Sequence, residues 1–293
     1  MVTFARPSHT TGAPQLFDGR YRLLAEVGKG NFSRVFRAED VYTDRLVAVK
    51  LLRQSGLAAN MRGTARQNFR REAAILVHLC HERIPRLYEA SLGGSQWYLV
   101  LDYIDGETLE NYLKRRADPL PLHEVLAIGI QICDVLGYLH GHRPPLKFRD
   151  LKPANIMRKH NGELMLIDFG LACPFQLGRI DAVTLGTPGY AAPEQYANQW
   201  GQGASTLQSD IYSLGVILHQ ILSGEPPGNK TLQELFTFSD LSGKTVPSLA
   251  ELVTSMLKPE PEQRVKHIQE VQARLQTISA QTLFDPSKEY AIR

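Results

Sequence analysis

The chain has 293 residues, 43% of them hydrophobic and 22% charged, and a net charge of +3. That is enough apolar chain for a core without staples, and too even a charge balance to argue for nucleic acid as a partner. The three cysteines, Cys80, Cys133 and Cys173, are odd in number and show no CxxC or Cys/His spacing. This argues against a disulfide framework or a zinc site and points to a reducing cytoplasm.

The first eighteen residues hold Pro, Ser, Thr and Gly without a hydrophobic run. They do not read as a signal peptide and are expected to be disordered. From Tyr21 to about Tyr103 the pattern is strand-like, in "YRLLAEVG", "SRVFRAEDV", "RLVAVKLL" and "QWYLVLDYI". One helical stretch, "ARQNFRREAAILVHLC", interrupts it, with Phe69, Ile75, Leu76 and Leu79 at helical spacing. The basic run Arg53, Arg62, Arg66, Arg70 and Arg71 reads as a solvated helix face. "DYIDGET" (102–108) is a short linker, and after it helices are predicted over 108–116, 122–141, 208–223, 231–238, 247–257 and 267–279. The longest apolar segment, "LHEVLAIGIQICDVLGYLH" (122–140), contains charges and reads as a buried amphipathic helix, not a membrane span. A small sheet-rich part therefore precedes a larger helical one.

Several short stretches carry chemistry. "VGKGNFSRV" (27–35) places Gly28 and Gly30 between two strands, where glycine lets a hairpin bend closely over phosphate oxygens. The rival dinucleotide reading needs a helix directly after the glycines, whereas "SRVFRAEDV" is strand-like. "VAVK" sets Lys50 in an apolar strand, and Glu72 in the helix offers it a partner. "LMLIDFG" ends an apolar strand in Asp168 and Gly170, an arrangement suited to a metal held with bound phosphate oxygens. "KFRDLKPANIM" (147–157) displays Arg149, Asp150, Lys152 and Asn155 around Pro153, which rules out an uninterrupted helix. Taken singly, each has a plain structural alternative: a hairpin turn, an exposed strand lysine, a strand-to-turn aspartate.

Gly-rich hairpin, VAVK, FRDLKPAN, DFG and "GTPGYAAPEQY" (186–196) come in one order, and that set resembles the protein-kinase signature. Over roughly residues 21 to 280 the chain resembles a bacterial serine/threonine protein kinase of the eukaryotic-like (Hanks) type. The resemblance implies an α+β, two-lobed kinase fold: a kinase domain over 19–282, with an N-lobe to 101, a hinge at 102–106, a C-lobe from 107 and a tail over 283–293. It implies ATP with Mg²⁺ (Mn²⁺ as an alternative), and protein substrates bearing Ser or Thr.

The same resemblance distributes roles. Asp150 would orient or accept the substrate hydroxyl proton, and Lys152 would sit beside the transferring phosphate. Asn155 and Asp168 would hold the metal ions, and Lys50, paired with Glu72, the α- and β-phosphates. Val27, Gly28, Gly30 and Ser33 would cover the nucleotide, with adenine between Val35 and Ala48 on one side and Met157 on the other. The backbone of Asp102 and Ile104 would bond its edge, and Leu101 would close the back of the pocket. Lys152 followed by Pro153 is similar to the serine/threonine branch, in which the Thr187 hydroxyl contacts Asp150 and Lys152. Arg264 would pair with Glu194. Phe148 stands where the family usually has His and would pack under Phe169. Arg149 would receive a phosphate on Thr184, with Asp181 as a weaker permanent anion. Two rivals share the lobes: a pseudokinase, separable by magnesium-dependent ATP turnover, and a small-molecule kinase, which lacks the "GTPGYAAPE" docking segment.

Overall fold

The structure, a computed structural model, describes residues 16–53, 58–116, 120–176, 186–196, 205–227 and 245–284. The chain divides into two compact units, one of residues up to Arg66 with Leu87–Tyr103, the other of Gln67–Arg86 with Ile104 onward. The first is built on five antiparallel strands, β1 (Tyr21–Lys29), β2 (Ser33–Asp40), β3 (Arg45–Leu52), β4 (Leu87–Ser91) and β5 (Tyr98–Asp102), ordered β1-β2-β3-β5-β4. Side chains alternate across a strand, so the register sorts them onto two faces. Tyr21, Ala38, Val47, Val49, Tyr98 and Val100 form the core on one face. Because cross-strand partners share a face, the pairs Val35↔Lys50, Lys50↔Leu99 and Ala48↔Leu101 put those residues together on the other.

Phe17 and Asp18 belong to the stretch expected to be disordered, and here the expectation is corrected. Phe17 exchanges backbone hydrogen bonds with Tyr21, at 2.8 and 2.9 Å, and meets the Tyr98 ring edge-on with centroids 5.0 Å apart. The Tyr98 hydroxyl donates to Asp18. One aromatic over an aromatic sheet face buries enough surface to order its neighbours, which the composition of the whole segment does not register. Residues 1–15 and 285–293, the rest of the expected terminal segments, lie outside the described residues.

Helix α1 (Ala59–Leu76) starts six residues earlier and ends four earlier than its apolar spacing predicts. The end follows from tertiary contact: the Cys80 N–H donates to the Tyr138 hydroxyl at 2.9 Å instead of continuing the helix. In the second unit follow α2 (Leu109–Arg115), α3 (Leu122–His140), α4 (Leu207–Ser223), α5 (Pro247–Met256) and α6 (Ile268–Phe284). The helix predicted over 231–238 lies outside the described residues. Short strands β6 (Gly106–Thr108), β8 (Ile156–Lys159) and β9 (Leu164–Leu166) pair in the order β6-β8-β9, and β7 (Leu146–Lys147) pairs with β10 (Cys173–Pro174).

The helices are long where the apolar periodicity is strong. α4 is buried over most of its length, from Ser209 to Leu222 with only Gln220 partly exposed, so it forms the centre of this unit. α3 is long and apolar enough to cross a bilayer by length and composition alone, but half of that window is buried inside the fold. It packs closely on two helices at Gly129, where an added Cβ would meet Leu275 of α6 at 2.9 Å and Leu218 of α4 at 3.3 Å.

Candidate active site

The loop between β7 and β8 carries Phe148 to Asn155. Asp210, in the first turn of α4 and fully buried, accepts from the backbone N–H of Phe148 (2.9 Å) and of Arg149 (2.8 Å) and contacts His140 at 3.0 Å. A carboxylate with that many partners can stay buried and fixes the start of the loop. Arg149 sits at φ +70°, a left-handed conformation that costs a non-glycine residue on the order of 1–3 kcal/mol. It is held from both sides, by Asp210 at its N–H and by the buried Gln195 side chain, which donates to its carbonyl at 2.9 Å. Its guanidinium Nε donates to the Leu171 carbonyl at 2.7 Å.

With the backbone set this way, Asp150 lies at the centre of a polar cluster. Its Oδ2 accepts from Lys152 Nζ and from Asn155 Nδ2, both at 2.9 Å, and its Oδ1 accepts from the Thr187 hydroxyl at 2.7 Å. Lys152 Nζ also donates to Thr187 Oγ at 2.6 Å, closing a triangle, and Asn155 Nδ2 reaches the Asp150 carbonyl at 2.9 Å. A carboxylate has roughly four lone-pair sites. Three donors orient Asp150 and leave room for one more, the number a single incoming hydroxyl needs.

Thr187 reaches the loop because the 186–196 segment is itself tied down. Gly186 is at φ +122°, and a Cβ there would meet Ala191 at 2.6 Å and Gln195 at 3.1 Å. Gln195 accepts from the Ala192 N–H while donating to Arg149, so one buried amide joins the two loops. Glu194 and Arg264 form a two-pronged pair at 2.7 and 2.8 Å, as expected, with Ser209 donating to the same carboxylate. Tyr190 donates to Gln220 at 2.7 Å; burial first, then the Glu110 charge, pushes its hydroxyl up to about 12, so it remains a neutral donor.

Phe148 packs edge-to-face on Phe169, with centroids 5.2 Å apart and both rings buried. Asp168, just before, is at φ +66°, a second left-handed non-glycine residue. With the Asn155 amide nitrogen committed to Asp150, its Oδ1 is the atom left to meet a cation. Asn155 and Asp168 are then two oxygen donors, a set suited to Mg²⁺, which takes few protein ligands and completes its shell with phosphate and water. Glu72 is buried in α1, Met157 lies in β8 between Thr108 and Met165, and Ile104 opens the second stretch of this unit.

In the first unit the predicted nucleotide residues share a surface. Val35, Ala48, Lys50 and Leu101 lie on the sheet face opposite the core, and Gly28 pairs with Val35, where a Cβ would touch it at 3.4 Å. The Gly30 N–H donates to the Ser33 carbonyl at 2.8 Å, closing the turn, and a strand, β2, follows it, which removes the dinucleotide reading. Val27 is half-exposed on β1, and Asp102 ends β5. Sequence reasoning missed Gln195 and buried Lys147, which donates to the Ser205 carbonyl at 2.8 Å. A lone buried polar residue leaves no periodic signal. Thr184 and Asp181 lie outside the described residues.

Comparison with known proteins agrees with this arrangement. The protein kinase domain family matches residues 21–275. Serine/threonine-protein kinase PrkC of Bacillus subtilis is 36% identical over 211 residues, 71% of this chain and 31% of that protein. A probable serine/threonine-protein kinase, PknB of Lactococcus lactis, is 35% identical over 216 residues, 73% and 33% of the two chains. Serine/threonine-protein kinase PknA of Nostoc sp. is 33% identical over 284 residues, 89% of this chain and 48% of its own length. The chain thus spans about a third to a half of these relatives. With the ordered motifs, the Asp150 cluster and a match over most of its length, the chain belongs to the protein kinase family.

Proposed function

We propose that the chain is a serine/threonine protein kinase that transfers the γ-phosphoryl group of Mg·ATP to Ser and Thr hydroxyls of proteins in a reducing cytoplasm. The observation that carries the reading is the triangle of Asp150, Lys152 and Thr187. Kinase transition states are loose, so positioning and charge neutralisation supply most of the catalysis. Asp150, fixed by three donors, orients the incoming hydroxyl and takes its proton. The Lys152 ammonium lies beside that position and offsets charge growing on the transferred group. Asn155 and Asp168 would hold the metal, which would supply charge neutralisation at the phosphates. Lys50 holds the α- and β-phosphates with Glu72 as its acidic partner, and the face of Val35, Ala48 and Leu101 receives the adenine. The three free cysteines fit the compartment. Autophosphorylation is assigned to Thr184, with Arg149 as its cation.

The test is phosphoryl transfer from labelled ATP to casein by the purified chain with Mg²⁺, followed by mass spectrometry of the chain itself for Thr184. Asp150→Asn is expected to slow transfer on the order of 10²–10⁴-fold while ATP binding survives. Asp168→Asn is expected to abolish productive use of Mg·ATP. Near-normal turnover in both variants at saturating Mg²⁺ would remove the assignment.

A further inference from the structure

Lys147 is out of place in the strand it occupies. Both residues of β7 are buried and lead straight into buried Phe148, a setting that favours apolar side chains. Lysine is almost never fully buried unless it is paired, yet Lys147 is only 3% exposed. Its ammonium donates to the Ser205 carbonyl at 2.8 Å and lies 5.9 Å from the centre of the Phe175 ring, within cation–π reach. On the backbone it faces Cys173 across the β7–β10 pair, and the Phe175 N–H donates to the Pro145 carbonyl at 2.7 Å. Taking an ammonium out of water is costly even when it is well bonded, and an apolar side chain would fill the space without that cost.

The groups this ammonium touches bracket one stretch of chain. Phe175 directly follows β10, and Ser205 directly precedes Thr206, the N-cap of α4. Between them in the sequence lie Thr187 and Glu194. The start of α4 is bonded to that stretch, because the Thr206 N–H donates to the Ser209 hydroxyl at 2.8 Å and that hydroxyl donates to Glu194 at 2.7 Å. The first turn of α4 also holds the loop that carries Asp150, through Asp210 and the N–H groups of Phe148 and Arg149. Lys147, directly before those two residues, adds a side-chain tie between the strand that opens the loop and the entry to α4.

We propose that Lys147 is a positioning residue for phosphoryl transfer: its ammonium fixes Phe175 and Ser205 and so seats Thr187 against Asp150, without itself joining the Asp150 cluster. The inference rests on the kinase reading. The Thr187 hydroxyl reaches Asp150 at 2.7 Å and Lys152 at 2.6 Å, so a shift of about 1 Å would break both bonds. A misplacement of about that size can cost on the order of 10²-fold in rate.

Lys147→Met, made in the full 293-residue chain, keeps the reach of the stem and removes the ammonium. Transfer from Mg·ATP to casein is expected to fall on the order of 10- to 100-fold in kcat, with the KM for ATP within a few-fold. In a chain already carrying Thr187→Ala the same substitution should cost no more than about two-fold further, since the seat it serves is gone. Amide exchange, measured without nucleotide, should rise in peptides covering 186–196 and the first turn of α4 and stay unchanged in α3 and α6. Lys147→Arg, which keeps a cationic donor, should return that protection and most of the transfer. Equal losses with and without Thr187→Ala, exchange raised across the whole second unit, or Lys147→Arg no better than Lys147→Met would each overturn the proposal. Absence of transfer in the parent chain would instead remove the kinase reading, and the exchange pattern would still decide whether Lys147 holds the segment.

Discussion

Phe148 shows how much one side chain beside a catalytic aspartate can vary. Its backbone N–H is held by Asp210 and its ring lies edge-on against Phe169, so the residue contributes shape and a backbone donor. A buried aromatic pair of this geometry is worth about 0.5–1.5 kcal/mol beyond area burial. Phe148→His keeps most of the ring volume and the backbone bond. Stability is expected to move by no more than about 1–2 kcal/mol, and transfer activity should stay within a few-fold. Urea unfolding and the casein assay check both, and an activity loss matching that of Asp150→Asn would show that the ring does more than pack. Much at this scale could be read from the chain. Asp150, Lys152 and Thr187 are charged or hydroxyl-bearing residues in recognisable local motifs, and the structure brings them together. Gln195 could not be read, because the bond by which it joins the two loops goes to the Arg149 carbonyl, 46 positions away.

Among the elements, those with long periodicity were legible and those with almost none were not. α3 and α4 have a clear apolar face or interior, whereas β6, β7, β9 and β10 are two or three residues long. Such strands exist because a partner is delivered to them, as when Leu166 N–H donates to the Arg83 carbonyl at 2.8 Å, and no local pattern encodes that. The 186–196 segment depends on tertiary anchoring in the same way. Arg264, its side chain wholly buried, donates to Glu194 and to the carbonyls of Lys258, Gln208 and Pro259, at 2.6 to 3.1 Å. Arg264→Met leaves Glu194 without its cation and is expected to cost about 3–5 kcal/mol. Glu194→Gln added to it should recover part of that loss, since no unpaired charge is then left. Urea unfolding of the single and double variants measures it, and equal stability of Arg264→Met and the parent chain would contradict the account.

For the whole molecule, the net charge of +3 at neutral pH rises steeply in acid as the 30 acidic side chains take up protons, and the first unit holds a carboxylate that resists this. Asp40 accepts from Arg20 at 2.8 and 2.6 Å, from the Thr43 hydroxyl at 2.8 Å and from the Tyr42 N–H at 3.1 Å. The Arg20 guanidinium, ahead of Thr43 and Tyr42, holds the Asp40 carboxyl well below the usual carboxylate range, against a burial effect that alone would raise it. Arg20 also reaches Glu89, which the Tyr21 and Tyr98 hydroxyls contact at 2.6 Å, so the group spans β1, β2, β4 and β5. A depressed folded-state value means that the unfolded chain binds the proton first. The stabilisation is present above about pH 4, the ordinary aspartate value, and is lost as pH falls below it. Trp97, buried in this unit, reports its unfolding once Trp200→Phe removes the only other tryptophan. Urea midpoints read by Trp97 fluorescence are expected to drop between about pH 4 and pH 2.5, and Asp40→Asn should flatten that slope while lowering the midpoint at pH 7. A slope as steep in Asp40→Asn as in the parent chain would show that the acid sensitivity does not rest on the Asp40–Arg20 pair.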